Sequence, residues 1–419
     1  MIEKNSALVY DFGLNVEMAL KLCEVYDKVY YYCEWRDAFP KADKALIGIG
    51  FEDEGLISID NFFDYVDDDE VGAIYFFDTY SGDIAEDCKR RGKTVFGGGN
   101  AEMLENDRWF GRQLQKKVGL PTQPTVKIKG IEKLREYLKA NDNVVVKINK
   151  LRGDLESFYS KNYESVETIL DYYASVLGLR QELVEFIVED YIPGIEPGTD
   201  LFIVDGKYPN YGLFAYEMKG AGYAAKVMKY EDIPEQVRLV NDKLAIFFEK
   251  LKARTLFSTE VRIDERDKKG YLIDATVRAG LPVPTSVEME IYDNFAEAIK
   301  EAAHGNLIEL KPRWQYGVGV ALDTNLTDEP WLNIQIPEKL RKFYKFRKVL
   351  KFKNKYFVIP KMPGIVTVLG FGNTLDDAIE MCKQNMEQVY GVGLQKNIGG
   401  LLAIKEEIEK AKKEYDIDF

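Results

Sequence analysis

The sequence predicts a mixed α/β and α+β protein. It should open with a parallel sheet carrying helices on both faces, continue into a middle region holding a smaller αβ unit, and close with a further αβ domain. Three observations predict this. Short apolar runs alternate with helical stretches up to about residue 105. Pro121 and Pro124, in GLPTQPTVKI, then punctuate the chain before a compact αβ pattern. Further on, the charged turn Arg266–Gly270 joins two strand-like runs, FSTEVRI and YLIDATV. A chain of 419 residues suits about two to three domains. The boundaries expected are 1–105, 106–308 with the smaller unit at about 122–192, and 309–419.

Taken in order, ALVYDFG (7–13) reads as a strand and Leu14–Tyr26 as a helix. KVYYYCEW (28–35), ALIGIG (45–50) and AIYFFD (73–78) are apolar runs bounded by turn signals and read as further strands. DIAEDCKRRG (83–92) reads as a helix stopping at Gly92, and TVFGGG (94–99) as the next strand. Ligands of such sheets bind at the carboxyl ends of the strands. The loop after the first strand, DFGLN, has only Gly13 and lacks a G-x-G-x-x-G pattern, which speaks against a dinucleotide site. Gly97–Gly99 precede the helix in NAEMLENDRWFGRQLQKKVG, with Asn100 as the expected N-cap. Either the glycine backbone approaches a phosphate there, or it makes an ordinary tight turn. The acidic run Asp67–Glu70 reads as a solvated loop.

In the smaller unit, TVKI is a strand, IEKLREYLKAN a helix ending at Asn141, and NVVVKI (143–148) an apolar strand interrupted by Lys147. A lysine in such a run either snorkels or meets an anion. NKLRGDLESF follows as a loop with Arg152, Gly153 and Asp154, suited to a mobile cover over phosphates. After the helix SVETILDYYASVLG, residues 182–206 make a strand to Glu189–Asp190, a Pro-Gly turn and another strand. Residues 211–227 make a strand and a glycine-containing loop with Glu217 and Lys219, and IPEQVRLVNDKLAIFFEKLKA is a long helix. That helix delivers the chain to the hairpin. Asp274 and Thr276 are two residues apart, so they share a face, and with the right register Glu260 joins them. Two carboxylates and a hydroxyl form an all-oxygen site of the kind Mg²⁺ takes while keeping waters and phosphates. Arg278 continues the same face as a fork for a carboxylate or phosphate. The competing reading is an exposed hairpin with alternating charges.

Composition bounds the partners. With 46% hydrophobic and 13% aromatic residues the chain is globular. A net charge of −13 argues against broad binding to nucleic acid or anionic membrane. No apolar run approaches the roughly 20 residues of a membrane helix. The N-terminus lacks a signal-peptide layout, and the four cysteines are scattered with no C-x-x-C pair. Both favour a reducing, cytoplasmic setting. A single histidine, His304, is expected at a helix C-terminus in EAAHGN and leaves little room for histidine triads or histidine-rich metal sites. KLRKFYKFRKVLKFKNKYF (339–357) is dense in basic and aromatic residues. It reads as an amphipathic strand pair in preference to a contact for nucleotide or nucleic acid.

These parts, in this order, resemble the ATP-grasp ligases, and among them the glycinamide ribonucleotide synthetases (phosphoribosylamine–glycine ligases). MLENDRWFGRQLQKKVGLPTQP resembles the approach to their ATP region, with Arg108 where a lysine is usual. NVVVKI resembles their nucleotide strand, which implies Lys147 at the phosphates. FIVEDYIPGIEPG resembles their hinge, which implies Glu189, Asp190 and Ile192 at adenine, partly through backbone atoms, and Glu196 at the ribose. YLIDATVRAGLP resembles the family's E-x-N-x-R-x-G-x-P segment, with Asp274, Thr276, Arg278 and Gly280 in its places and Glu260 as the other metal carboxylate. The likeness runs on through FAEAIKEAAHGN, VGVAL and GIVTVLGFGNTLDDAIEMCKQNMEQVYG. It implies an ATP-grasp core with an αβ lid between the two flanking domains, and ATP with Mg²⁺ (or Mn²⁺) as cofactors.

The departures fall in the substrate loops. DFGLNVEMA lacks the glycines and histidine of the family's first loop, KLRGDLESF replaces its Gly-Lys-Gly loop, EMKGAGYAA its Thr-Gly-Gly-Met-Gly loop, and LPVPTS its Asp-Pro-Glu-Thr. The resemblance therefore implies a ligase acting on a small carboxylate and a small amine that have diverged. The carboxylate attacks the γ-phosphate of ATP, and an amine then displaces phosphate from the acyl phosphate. Lys147, Arg278, Lys219 and Arg152 are expected to shield the charge and the intermediate. For each of them a structural salt bridge is the competing role. A true phosphoribosylamine–glycine ligase and a non-catalytic nucleotide- or nucleic-acid-binding module are the alternatives.

Overall fold

The computed structural model describes residues 5–33, 46–150, 157–326, 331–359 and 364–419. The N-terminal part is a five-stranded parallel sheet in the order 56–58, 28–33, 6–11, 71–76, 95–96. Its central strand Ser6–Asp11 is buried at every position, as a parallel strand covered on both faces must be. Ala7 and Val9 enter the main core, while Leu8 and Tyr10 enter a separate cluster with Phe62, Ile74 and Phe76 on the opposite face.

Two elements differ from expectation. Residues 46–50 form turns, and the neighbouring strand is Leu56–Ser58. Gly48 and Gly50 have φ of +82° and +88°, and a Cβ on Gly50 would overlap the Lys351 carbonyl. The glycines let this segment run tightly against strand Val349–Phe352, with Gly48 N–H donating to the Val349 carbonyl at 2.9 Å. Helix Arg108–Val118 is capped by Asp107, whose carboxylate accepts from Phe110 N–H at 3.0 Å, and not by Asn100, which lies in a preceding 3₁₀ turn.

The smaller unit is a four-stranded antiparallel sheet in the order 125–129, 185–190, 144–148, 157–160. It has its own apolar core. Ile131, Leu134 and Leu138, at helical spacing, pack on Val144, Val146, Ile148, Phe186 and Val188. Because strand residues alternate, Lys147 faces away from that core.

A ten-stranded antiparallel sheet forms most of the rest, beside a three-stranded sheet in the order 332–334, 355–358, 349–352. Strands Pro197–Val204, Tyr211–Met218, Gly222–Lys229, Arg254–Asp264 and Gly270–Thr276 belong to the middle region. Strand Tyr316–Thr324 pairs with Gly222–Lys229, so one sheet continues into the C-terminal part, where Val366–Gly372 follows. Helix Leu375–Gln388, capped by Thr374, and helix Gly399–Tyr415 cover it. His304 ends helix Phe295–Ala303. Among the described residues no helix is long and apolar enough to cross a membrane.

Candidate functional site

The antiparallel register places Glu260 directly opposite Asp274 and Ser258 opposite Thr276. Directly opposed residues share a face, so all four project to one side. The neighbouring strand extends that face, since Gly198 opposes Glu260 and Asp200 opposes Ser258. Ala215 opposes Gly198, and Glu217 opposes Tyr223 on the next two strands. The small Gly198 and Ala215 at the centre leave a hollow. It is a cavity of about 290 Å³ floored by Asp200, Glu217, Tyr223, Ser258, Glu260, Asp274 and Thr276, with Glu105, Arg108, Lys219 and Arg278 on its walls.

A second hollow, of about 230 Å³, opens between this floor and the lid sheet. It is lined by Lys147, Glu189, Asp190 and Ile192 and shares Arg108, Glu196, Lys219, Glu260 and Asp274 with the first. The two form one cleft, with the Glu260–Asp274 pair at their junction. Lys147 crosses from the lid, and its Nζ donates to the Ile273 carbonyl at 2.7 Å, next to Asp274. Burial pulls the Lys147 ammonium below the usual lysine range, against the pull of Asp274. Burial alone would raise Asp274, but Lys147, Lys219, Arg108 and Arg112 outweigh it and bring the carboxyl down to about 2. Asp274 thus sits in the combined field of four cations, which favours its charged form.

Arg112 was not singled out in the sequence, and it joins the four-stranded sheet to the hairpin. Its guanidinium is 5% exposed, forks onto Glu189 (Nη2 to Oε2 at 2.8 Å) and donates to the Leu272 and Ile273 carbonyls at 3.1 and 2.7 Å. Its one legible signal was its position four residues after Arg108, on the same helix face. Arg108 itself donates to the Ile148 carbonyl at 3.0 Å.

The remaining predicted residues fall as follows. Glu189 spends its side chain on Arg112, which holds its carboxyl below the usual range despite burial, so only its backbone is free to meet a base. The Asp190 side chain is exposed and Ile192 is buried. Glu196 is ion-paired with Arg262, whose guanidinium lies over the Tyr191 ring. Lys219, at a hairpin tip, pairs with Glu260 at 3.2 Å, and that carboxylate raises the ammonium further. Arg278 donates to Glu105 at 2.9 Å and lies 3.7 Å from Asp78. Arg152 and its loop lie outside the described residues. Gly97–Gly99 form a tight turn over Glu102, which accepts from Tyr80 and Gly82 N–H groups at 2.8 and 3.2 Å.

The basic run 339–357 places three of its side chains in ion pairs. Arg341 holds Glu17 at 2.8 Å, Lys345 holds Glu290 at 2.7 Å, and Lys351 holds Glu54 at 2.7 Å. These pairs tie the run to the N-terminal part and to helix Pro284–Ile291.

Comparison with known proteins places this architecture. No protein-family profile and no curated protein sequence matches the chain. Solved structures do. Phosphoribosylamine–glycine ligase of Thermotoga maritima superposes with a TM-score of 0.72 at 18% identity, covering 94% of this chain and 99% of that one. The fold is the ATP-grasp fold. The biotin carboxylase domain of Hydrogenobacter thermophilus 2-oxoglutarate carboxylase, solved with MgADP and bicarbonate, gives 0.69 at 13% identity over 99% of each chain. L-amino acid ligase of Bacillus licheniformis gives 0.60 at 14% identity over 94% of this chain and 100% of that one. At these identities the likeness is one of fold, and chemistry has to be argued from the residues.

Proposed function

We propose that this chain is an ATP-dependent carboxylate–amine ligase that forms an amide through an acyl phosphate, releasing ADP and phosphate. The observation that carries the reading is the Glu260–Asp274 pair, set face to face across a strand pair at the junction of two hollows and met by Lys147 from the lid. The residues fit Mg²⁺. Two carboxylates and the Thr276 hydroxyl share one face, and the Lys219 ammonium already stands 3.2 Å from Glu260, a cation where a cation would go. Among the described residues no three acidic, His or Cys side chains converge as a dedicated metal cage would. A pair of carboxylates with a hydroxyl suits an ion which keeps waters and phosphate oxygens as ligands, as Mg²⁺ does and Mn²⁺ tolerates. When bound, Mg²⁺ would neutralise phosphate oxygens and lower the repulsion between the two anions that must meet.

The chain's own residues supply the rest. Lys147 and Arg108 line the lid side and would hold phosphate oxygens, while the backbone around Glu189–Ile192 and the Glu196 carboxylate would receive the nucleoside. Lys219 would screen the transferred phosphoryl group, and Arg278, held by Glu105, would orient the substrate carboxylate. Closure of the lid would exclude water from the acyl phosphate.

Altered substrates are favoured over phosphoribosylamine and glycine by the loop after the first strand. There the Asp11 carboxylate accepts from Gly13 N–H (3.1 Å), Asn15 N–H (2.8 Å), Asn15 Nδ2 (3.0 Å) and the Tyr31 hydroxyl (2.6 Å). The donors at this strand end, where an anion would dock, already serve the chain's own anion. The test is ADP release in the presence of Mg²⁺ and a panel of carboxylic acids, with hydroxylamine added to trap the acyl phosphate as a hydroxamate. Acid-dependent hydroxamate with stoichiometric ADP supports the reading, and nucleotide binding without either rejects it.

A further inference from the structure

The cleft's carboxylates sort into those that have a cation and those that do not. Glu105 has Arg278, Glu196 has Arg262, and Glu260 has Lys219. Asp274 lies within the field of Lys147, Lys219, Arg108 and Arg112. Asp200 and Glu217 are different. The two Asp200 oxygens are met only by neutral hydroxyls, Ser258 Oγ on one and Tyr223 Oη, at 2.6 Å, on the other. Glu217 makes no hydrogen bond or ion pair among the described residues, and feels Lys219 and Arg278 only at a distance.

Asp200 registers the missing counter-charge. Desolvation pushes the Asp200 carboxyl up to about 6, against its two hydroxyl donors, with Glu260 adding to the push. Glu217 is exposed to solvent and stands in the field of Glu260 and Asp200. The surroundings are built to keep Asp200 in place. Asp200 is 5% exposed, one donor comes from the adjacent strand and the other from two strands away, and Gly280 covers it so closely that a Cβ there would come within 3.1 Å of Ser258 Oγ and 3.4 Å of Asp200 Oδ1. Pro282 and Pro284 complete the wall.

A triphosphate or a substrate carboxylate would be repelled from this end. An ammonium group meets the requirement: it is compact, carries three donors, and supplies the one charge the pocket lacks.

We propose that Asp200, with Glu217 beside it, is the positioning pair that receives the amine substrate as a protonated primary amine and fixes its nitrogen at the end of the cleft beyond the Glu260–Asp274 pair. The proposal rests on the ligase reading and narrows its acceptor to small primary amines that are cationic at neutral pH and carry no phosphate. Tyr223 and Ser258 hold Asp200 so that the carboxylate meets the nitrogen without reorganising.

The experiment is direct binding, which needs no turnover. A panel of free amino acids and short diamines, each beside its N-acetylated counterpart, is titrated by calorimetry into the wild type and into D200N, S258A and E217Q. The expected result is that at least one free amine binds the wild type, that its N-acetyl form does not, and that D200N weakens the free amine at least tenfold. S258A should show a smaller loss in the same direction. Calorimetric binding of MgADP by D200N within a factor of two of wild type shows that the variant is folded. If no amine binds, if acetylated amines bind equally well, or if D200N binds its amine as the wild type does, the proposal is wrong. The ligase reading is judged separately by hydroxamate formation in the wild type: hydroxamate with no effect of D200N on the amine sinks this inference alone.

Discussion

Replacing Arg112 with methionine tests how the four-stranded sheet is held to the floor of the cleft. The Glu189 carboxylate is 2% exposed, and Arg112 supplies its bidentate partner while also capping the Leu272 and Ile273 carbonyls. Removing the guanidinium strands a buried carboxylate whose nearest remaining cation is Lys147 Nζ at 4.0 Å. Breaking a buried pair in this way costs about 3–5 kcal/mol, whereas replacing both partners with apolar side chains is often close to neutral. R112M should therefore lose about 3–5 kcal/mol, and the double variant R112M/E189M should recover most of it. Because the lid has a core of its own, the readout should be local. Hydrogen exchange followed by mass spectrometry on strands Thr125–Lys129, Val144–Ile148 and Glu185–Asp190 reports the free energy of their opening. The reasoning fails if R112M changes that protection by less than about 1 kcal/mol, or if the two single losses simply add in the double variant.

Three further outcomes follow. E102Q should flatten a pH dependence of stability: burial lifts the Glu102 carboxyl from 4.5 to about 8, with Glu105 and Asp78 adding to it against the Tyr80 and Gly82 N–H donors. The folded state thus binds the extra proton, wild-type stability should be greatest below the unfolded value and fall as pH rises from about 5 through 8, and urea midpoints across that range check the sign. G50A should destabilise by more than about 1 kcal/mol, since the residue has φ of +88° and its Cβ would overlap the Lys351 carbonyl; an unchanged urea midpoint would rule this out. R278K should lower turnover by roughly tenfold or more by losing the fork that Glu105 orients, with nucleotide affinity little changed; a parallel loss of both would place Arg278 at the nucleotide.

What could be read from the sequence followed spacing. Asp274 and Thr276 fall on one face because strands have a period of two, and the five-residue charged turn made a hairpin legible. Lys147 stood out because it interrupts an apolar run. The network around these residues is different in kind. Arg112 meets Glu189 across 77 positions of chain and Asp200 meets Ser258 across 58, and no local period encodes such pairings. Residues 46–50 were misread because ALIGIG has a strand's apolarity, while its two glycines serve a close approach to a segment some 300 residues away. The hinge carboxylate Glu189 carried a motif's expectation of ligand contact, and its burial beside Arg112 is a packing fact that appears only in three dimensions.

The account stands on the Glu260–Asp274 pair gripping a magnesium nucleotide opposite Lys147. Calorimetric titration of ADP into the wild type, E260Q and D274N, with Mg²⁺ and with EDTA, addresses it most directly. Wild-type affinity should rise at least tenfold with Mg²⁺, and both variants should bind ADP with that enhancement largely gone. Variants that keep the full Mg²⁺ enhancement, or a wild type whose ADP affinity is indifferent to the ion, would contradict it.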